Sequence, residues 1–253
     1  MSEQPIVETF QPIAIRPGKG RLGRLLFAVR MAGDLQMLTC VRFLKPHLAV
    51  LTGSVLDVGC GEMPFRSLIN LGARYTGLDV PQAREFGMRG DGDIFSFDGR
   101  TIPFPDASFD NVLCTEVLEH AEDPVMLVSE MHRVLKPGGI LLATVPFSAR
   151  VHYAPHDYHR FTRFRIAQML TRFKDVEIAE RGGDLAVIAN KLIVVCFRLV
   201  KPSPALLWRL PMALLLAPVM LSALAIAHIS LFAGWGSPTD PLGYAIRGRK
   251  TDA

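Results

Sequence analysis

Between residues 54 and 181, six short runs rich in β-branched residues alternate with helical stretches, and this alternation restricts the chain to an α/β fold built on a largely parallel sheet. The runs are residues 55–58, 75–79, 94–97, 111–115, 140–145 and 176–180. Parallel neighbours need long crossovers, and those crossovers become the helices that cover both faces of the sheet. The Pro and Gly clusters at 103–105 and 137–139 are expected in connections. With 49% apolar and 21% charged residues, the 253-residue chain can bury a sizeable core, which excludes disordered and fibrous classes. The four cysteines are scattered, without a CxxC pair or a nearby histidine cluster. Neither a disulfide framework nor a metal centre is expected, and a reducing, cytoplasmic compartment fits. A net charge of +4 tolerates anionic surfaces without demanding nucleic acid, and no nucleic-acid partner is expected.

The chemistry lies in VLDVGCGEMPF, residues 55–65. This reads as a buried strand through Asp57, a turn at Gly59 and Gly61, then a helix start. Glycines there let the backbone approach a ligand at the carboxyl edge of the sheet, where such folds bind ligands. The second strand ends at Asp79, where a carboxylate can accept from both hydroxyls of a ribose. These features alone indicate a nucleoside cofactor. A diphosphate would need bare amides over a helix N-terminus. Here Glu62 and Met63 follow Gly61, and a carboxylate would repel it. A cofactor with a cationic centre, no phosphate and an amino-acid tail suits the turn better, and S-adenosylmethionine has that description. An NAD-dependent oxidoreductase is disfavoured on the same grounds, and no GK[ST] phosphate loop occurs.

DVGCG, GLD, IPFPDASFDNVLCTEVLEHAEDP and EMHRVLKPGGILLATVP, in that order, resemble the class I S-adenosylmethionine-dependent methyltransferases of the type-11 branch over residues 50–182. The GCG-x-x-P-aromatic start is similar to that of members associated with cell-envelope sugars and lipids. The resemblance implies a Rossmann-like, seven-stranded sheet with its last strand antiparallel. It also implies that Asp57, Gly59 and Gly61 line the methionine part of the cofactor and that Asp79 holds the ribose. An acidic residue after the third strand would meet the adenine amine; Asp98 takes the usual position, with Asp93 as runner-up. Cys114, Thr115 and Glu116 end the fourth strand at the same rim, and Thr115 is counted with the cofactor residues. Asp110 reads as structural, and Cys60 and Cys114 as small residues beside the cofactor. In LEH, Glu119 and His120 start or sit within the next helix, where His120 either acts on substrate or caps and packs it.

After the fifth run comes PFSARVHYAPHDYHRFT, dense in hydrogen-bonding rings. It is read either as a substrate-facing lid or as a surface loop pinned by Asp157. Tyr158 and Arg160 are its candidate substrate contacts. Methyl transfer to oxygen needs a base, and His152 and His156 are the catalytic candidates because imidazole titrates near neutrality. Thr162 reads as the N-cap of a helix with Phe164, Ala167 and Leu170 on its apolar face.

The flanks carry a different signal. Residues 21–47 place Leu22, Leu25, Leu26, Val29, Leu35, Leu38, Val41 and Leu44 near helical spacing, with Arg and Lys between them and a break at Gly33-Asp34. They form two amphipathic helices, packed on the domain or lying on a membrane. No secretory signal precedes them. Residues 185–200 are mostly apolar, and 210–239 contain no Asp, Glu, Lys or Arg. That second run exceeds the roughly 20 residues that cross a bilayer core, with Trp208 and Trp235 at its ends.

LGYAIRGRK resembles the family's closing strand, so the chain must return to the side it left. Two crossings, a re-entrant hairpin and interfacial helices all satisfy this, and monotopic insertion is expected because 185–200 is short and carries Lys191. The division is therefore 1–50 tail and amphipathic helices, 51–182 cofactor-binding core, 183–240 hydrophobic membrane-associating insertion, and 241–253 closing strand and basic tail. The expected function is methyl transfer to a small-molecule or lipid-linked acceptor at the inner face of the cell membrane. The alternative is a non-catalytic, cofactor-binding subunit that anchors or regulates a membrane partner.

Overall fold

The computed structural model describes residues 20–86 and 94–251. Seven strands form one sheet: β1 Ser54–Val58, β2 Arg74–Asp79, β3 Ile94–Ser96, β4 Phe109–Thr115, β5 Leu135–Pro146, β6 Phe173–Arg181 and β7 Gly243–Lys250. Their order is β3-β2-β1-β4-β5-β7-β6. All pair in parallel except β7, which slots antiparallel between β5 and β6. The expected fold is the one observed. All six sequence runs lie at strands, and the closing strand is where the resemblance places it.

Side-chain alternation assigns the two faces. Leu56, Val58 and Cys114 point to the side covered by α3 (Pro124–Val134) and α4 (Arg163–Met169). Val55, Leu113 and Leu142 point to the other, where α2 (Leu35–Leu48) supplies Cys40, Leu44 and Leu48. The preceding helix, α1, spans Gly20–Gly33. Asp34 caps α2 by accepting from the Met37 amide at 3.1 Å, which makes the predicted break at Gly33-Asp34 a helix start. Asp110 is structural, accepting from Ser54 and from Lys136.

Three local expectations are corrected. The Pro137-Gly138-Gly139 stretch lies inside β5, where the β4 register shifts and Gly138 takes φ +74°. A bulge absorbs the residues that would otherwise end a strand. Thr162 does cap α4 and Leu170 is buried as expected, but Phe164, 76% exposed, and Ala167 face outward while Ile166 and Met169 turn inward. LEH forms an isolated 3-10 turn, Leu118–His120, ahead of α3.

After β6 the chain makes α5 (Asp184–Val200) and α6 (Leu206–Ala233), and then returns as β7. The two helices are stapled at their base: Asp184 Oδ1 accepts from the Ser237 amide at 2.9 Å, and the Asp184 amide donates to the Ser237 carbonyl. Ala186, Ala189 and Ala227 pack there with Leu35 and Leu242. Away from the base α6 is bare, with Leu207 80% and Trp208 88% exposed.

Candidate active site

The turn after β1 is tied to β2 through backbone. The amides of Gly59 and Cys60 both donate to the Leu78 carbonyl, at 2.8 and 3.1 Å. Gly59 takes φ +71°, and a Cβ there would lie 2.3 Å from a Val117 methyl, so both hand and space require glycine. The Gly61 amide donates to Asp79 Oδ2 at 2.7 Å, while the Val80 amide donates to Oδ1 at 2.8 Å. The Asp79 carboxylate is thereby fixed at the carboxyl end of β2, against the glycine turn. Burial raises its pKa.

Asp57 shares the α2 face with Tyr75, because β1 and β2 run in register with Val55 opposite Tyr75. The Tyr75 hydroxyl donates to Asp57 Oδ2 at 2.6 Å. Asp57 Oδ1 is buried and has no hydrogen-bond partner among the described residues. Burial pushes the Asp57 carboxyl up to about 7 against the lowering effect of that hydroxyl. The first basic residue after the turn, Arg66, lies over the Tyr75 ring, 5.3 Å from its centre. The lining that Asp57, Asp79 and Tyr75 make at this turn is two carboxylates and a phenol, an acceptor-rich set that fits a cationic ligand.

Thr115 ends β4, opposite Thr144 of β5. The Phe97 amide donates to the Asp79 carbonyl, so Asp98 follows β3 one strand over from Asp79 on the same edge. Asp98 is exposed, and its Oδ1 accepts from the Thr101 and Arg100 amides, which hold its carboxyl below the usual range. Asp57, Gly59, Gly61, Asp79, Asp98 and Thr115 therefore lie along one edge of the sheet. Asp93 lies outside the described residues. Burial drives the Cys60 and Cys114 thiols upward, consistent with packing rather than nucleophilic roles.

At the β4 and β5 end of that edge, the ring-rich loop is strapped to the LEH turn. The Tyr158 and His159 amides donate to the Glu119 carbonyl at 2.8 and 3.1 Å. Asp157 accepts from the His152 amide and receives both arms of Arg160 at 2.6 and 2.7 Å. Arg160 also donates to the Arg150 and His159 carbonyls, so its guanidinium orders the loop. Tyr158 is exposed, with its hydroxyl 3.0 Å from His156 Nδ1. His152 turns inward instead, its ring facing His120 at a centroid distance of 4.7 Å.

Sequence reasoning missed Glu119, fully buried between these rings, together with Tyr75 and Arg181. Tyr75 could have been found from its period-2 relation to Gly77, the residue opposite Asp57 in the paired strand. Burial pushes Glu119 well above the usual carboxylate range, reinforced by Glu116, and pushes His120 down to about 4, reinforced by His152.

A family model for a methyltransferase domain matches residues 56–143. A ubiquinone biosynthesis O-methyltransferase of Idiomarina loihiensis is 31% identical over 174 residues, covering 59% of this chain and 71% of that protein. The chain belongs to the class I S-adenosylmethionine-dependent methyltransferases. A probable S-adenosylmethionine-dependent methyltransferase of Mycolicibacterium smegmatis is 38% identical over 105 residues, 40% of each chain. This methyltransferase-family chain thus spans less than half the length of that curated relative. A solved methyltransferase structure from Archaeoglobus fulgidus superposes with a TM-score of 0.52 at 18% identity, over 90% of this chain and 99% of that one, and shares the fold.

Proposed function

We propose that this chain binds S-adenosylmethionine and passes its methyl group to a small-molecule or lipid-linked acceptor at the cytoplasmic face of a membrane. The observation that carries the reading is the Asp79 carboxylate clamped to the Gly61 amide beside a partnerless Asp57 oxygen. That edge has a carboxylate for ribose hydroxyls and an acceptor for an ammonium. Asp57, Gly59, Gly61 and Thr115 would line the methionine end, Asp79 the ribose and Asp98 the adenine amine. When bound, this cofactor supplies a methyl group already activated on a sulfonium, so the protein's share is orientation.

The loop carrying His152, His156 and Tyr158 stands over the β5 end of the same edge and supplies the wall for an acceptor. His152 and His156 are the groups that would take a proton from a hydroxyl acceptor. The Idiomarina relative, named for ubiquinone biosynthesis, supports a lipophilic acceptor.

The α5–α6 hairpin supports the membrane contact and the division of the chain at 183–240. Among the described residues α6 is the one helix long and apolar enough to cross a membrane. Its ends leave and rejoin the same sheet through the paired strands β6 and β7, so a lone crossing would separate those strands. At about 1.5 Å per residue, α5 falls short of a roughly 30 Å hydrocarbon core and carries Lys191, which favours insertion into the near leaflet.

The decisive assay is calorimetry with S-adenosylmethionine, followed by release of S-adenosylhomocysteine in the presence of a lipid extract. Wild type should bind and turn over, while Asp79→Ala should bind about 10- to 100-fold more weakly through loss of a charged hydrogen-bonding partner. Unchanged affinity in Asp79→Ala would remove the proposal. Binding without turnover in any extract would assign the anchoring-subunit role instead. In cell fractions the chain should sediment with membranes and be released by alkaline carbonate; retention would favour a hairpin that spans the bilayer.

A further inference from the structure

Three potential ligand atoms converge where β4 and β5 end. His120 Nε2 and His152 Nε2 are 3.2 Å apart. Glu119 Oε1 is 3.7 Å from the first and 3.9 Å from the second. The opposite nitrogen of each ring faces a backbone carbonyl: His120 Nδ1 is 2.5 Å from the His156 oxygen, and His152 Nδ1 is 3.1 Å from the Arg150 oxygen. A carbonyl only accepts, so each Nδ1 carries the hydrogen and each neutral ring presents a bare Nε2 lone pair. The Glu119 side chain is fully buried, and among the described residues neither of its oxygens has a hydrogen-bond partner. Two lone pairs thus face a fully buried carboxyl group that makes no hydrogen bond among the described residues, and a cation between the three atoms would satisfy all of them.

The spacing is compatible with a tetrahedral cation. A tetrahedral ion with bonds of about 2.0–2.1 Å separates its ligand atoms by roughly 3.3–3.4 Å, within the spread of the three distances here. Histidines that bind metals fix their tautomer by giving the other N–H to a carbonyl or carboxylate, and both rings already do so. Two imidazoles and one carboxylate suit zinc better than magnesium, which prefers an all-oxygen octahedron.

We infer that Glu119, His120 and His152 bind one zinc-class divalent ion, leaving a fourth position open to water or to an oxygen ligand. The backbone is already arranged for it: LEH brings two ligands on one turn, and Asp157, by accepting from the His152 amide, holds the third. The inference concerns metal binding alone; with the ion on His152 Nε2 and the hydrogen on its Nδ1, that ring cannot take a proton, and His156 remains as the base for a hydroxyl acceptor.

Protein stripped with a chelator and titrated with zinc chloride in a calorimeter should take up one equivalent, and magnesium chloride should give no comparable heat. Cobalt in place of zinc should give the intense visible absorption of a tetrahedral site. His152→Ala and Glu119→Gln should each weaken zinc binding by about 100-fold or more, whereas His228→Ala, remote on α6, should not. Zinc should raise the unfolding temperature of wild type but not of His152→Ala. Absence of stoichiometric zinc uptake by the stripped wild type, an octahedral cobalt spectrum, or wild-type zinc affinity in His152→Ala would overturn the assignment.

Discussion

Replacing Arg181 with alanine should cost about 3–5 kcal/mol of folding stability, the scale expected when one member of a buried charged network is removed. Arg181 ends β6, is only 3% exposed, and knits four elements. Its guanidinium donates to the Gln36 carbonyl of α2, to the Val145 carbonyl of β5, to the Tyr244 carbonyl of β7 and to Glu116 Oε1 at 2.7 Å. Cys40 lies against it, its thiol pushed up to about 12 by burial. Alanine leaves several acceptors without donors and a cavity the size of the side chain. Arg181→Met should recover the packing share only, since the carbonyls stay unpaired. Denaturant unfolding of the three proteins decides the matter. A loss below about 1 kcal/mol for Arg181→Ala would mean that the network behaves like a solvated surface pair. Gly243 belongs to the same design: a Cβ there would lie 2.3 Å from both Arg181 Nη2 and the Val145 oxygen.

Asp57→Asn should stabilise the cofactor-free protein at alkaline pH and weaken its hold on a cationic ligand. The native carboxyl is raised to about 7 by burial, whereas in the unfolded chain it titrates near 4. The folded state therefore binds its proton more tightly, so stability is greatest below pH 4, declines as pH rises from about 4 to about 7, and is flat above. Over that window the ionisation costs about 4 kcal/mol. Asparagine cannot ionise and can still accept from Tyr75. The variant should match wild type near pH 4 and exceed it by up to about 4 kcal/mol at pH 8, as read from denaturant midpoints across pH. Equal stability at pH 8 would show that Asp57 is ionised in the fold without cost. The accompanying loss of S-adenosylmethionine affinity would be the usual exchange of stability for a functional charge.

The strands were legible because a parallel sheet buried on both faces writes each strand as a short β-branched run. The turn was legible because only glycine meets the positive φ at residue 59. The edges of elements were harder to read. Pro137 to Gly139 carry strong turn chemistry, yet cross-strand pairing with β4 holds them in β5, and the inward face of α4 was decided by contacts with β6 rather than by its own apolar pattern. Among the site residues, Asp57, Asp79 and Thr115 could be placed from strand ends. Asp157 was legible as the pin of the ring-rich loop, and it pairs with Arg160, but the meeting of His152 with His120 was not, because a loop rich in rings does not say which of them face each other.

By itself the sequence determined the sheet, the glycine turn, the acidic residue at the end of β2 and the uncharged run that became α6. These follow from local periodicity and from backbone conformations that few residues tolerate. Only the tertiary structure decided that Arg181 is a buried hub, that Asp57 keeps an oxygen without a donor, and that His120 meets His152 over Glu119. Those facts depend on side chains brought together from distant segments, and burial, which sets their energies, is a property of the assembled layers rather than of any stretch of chain.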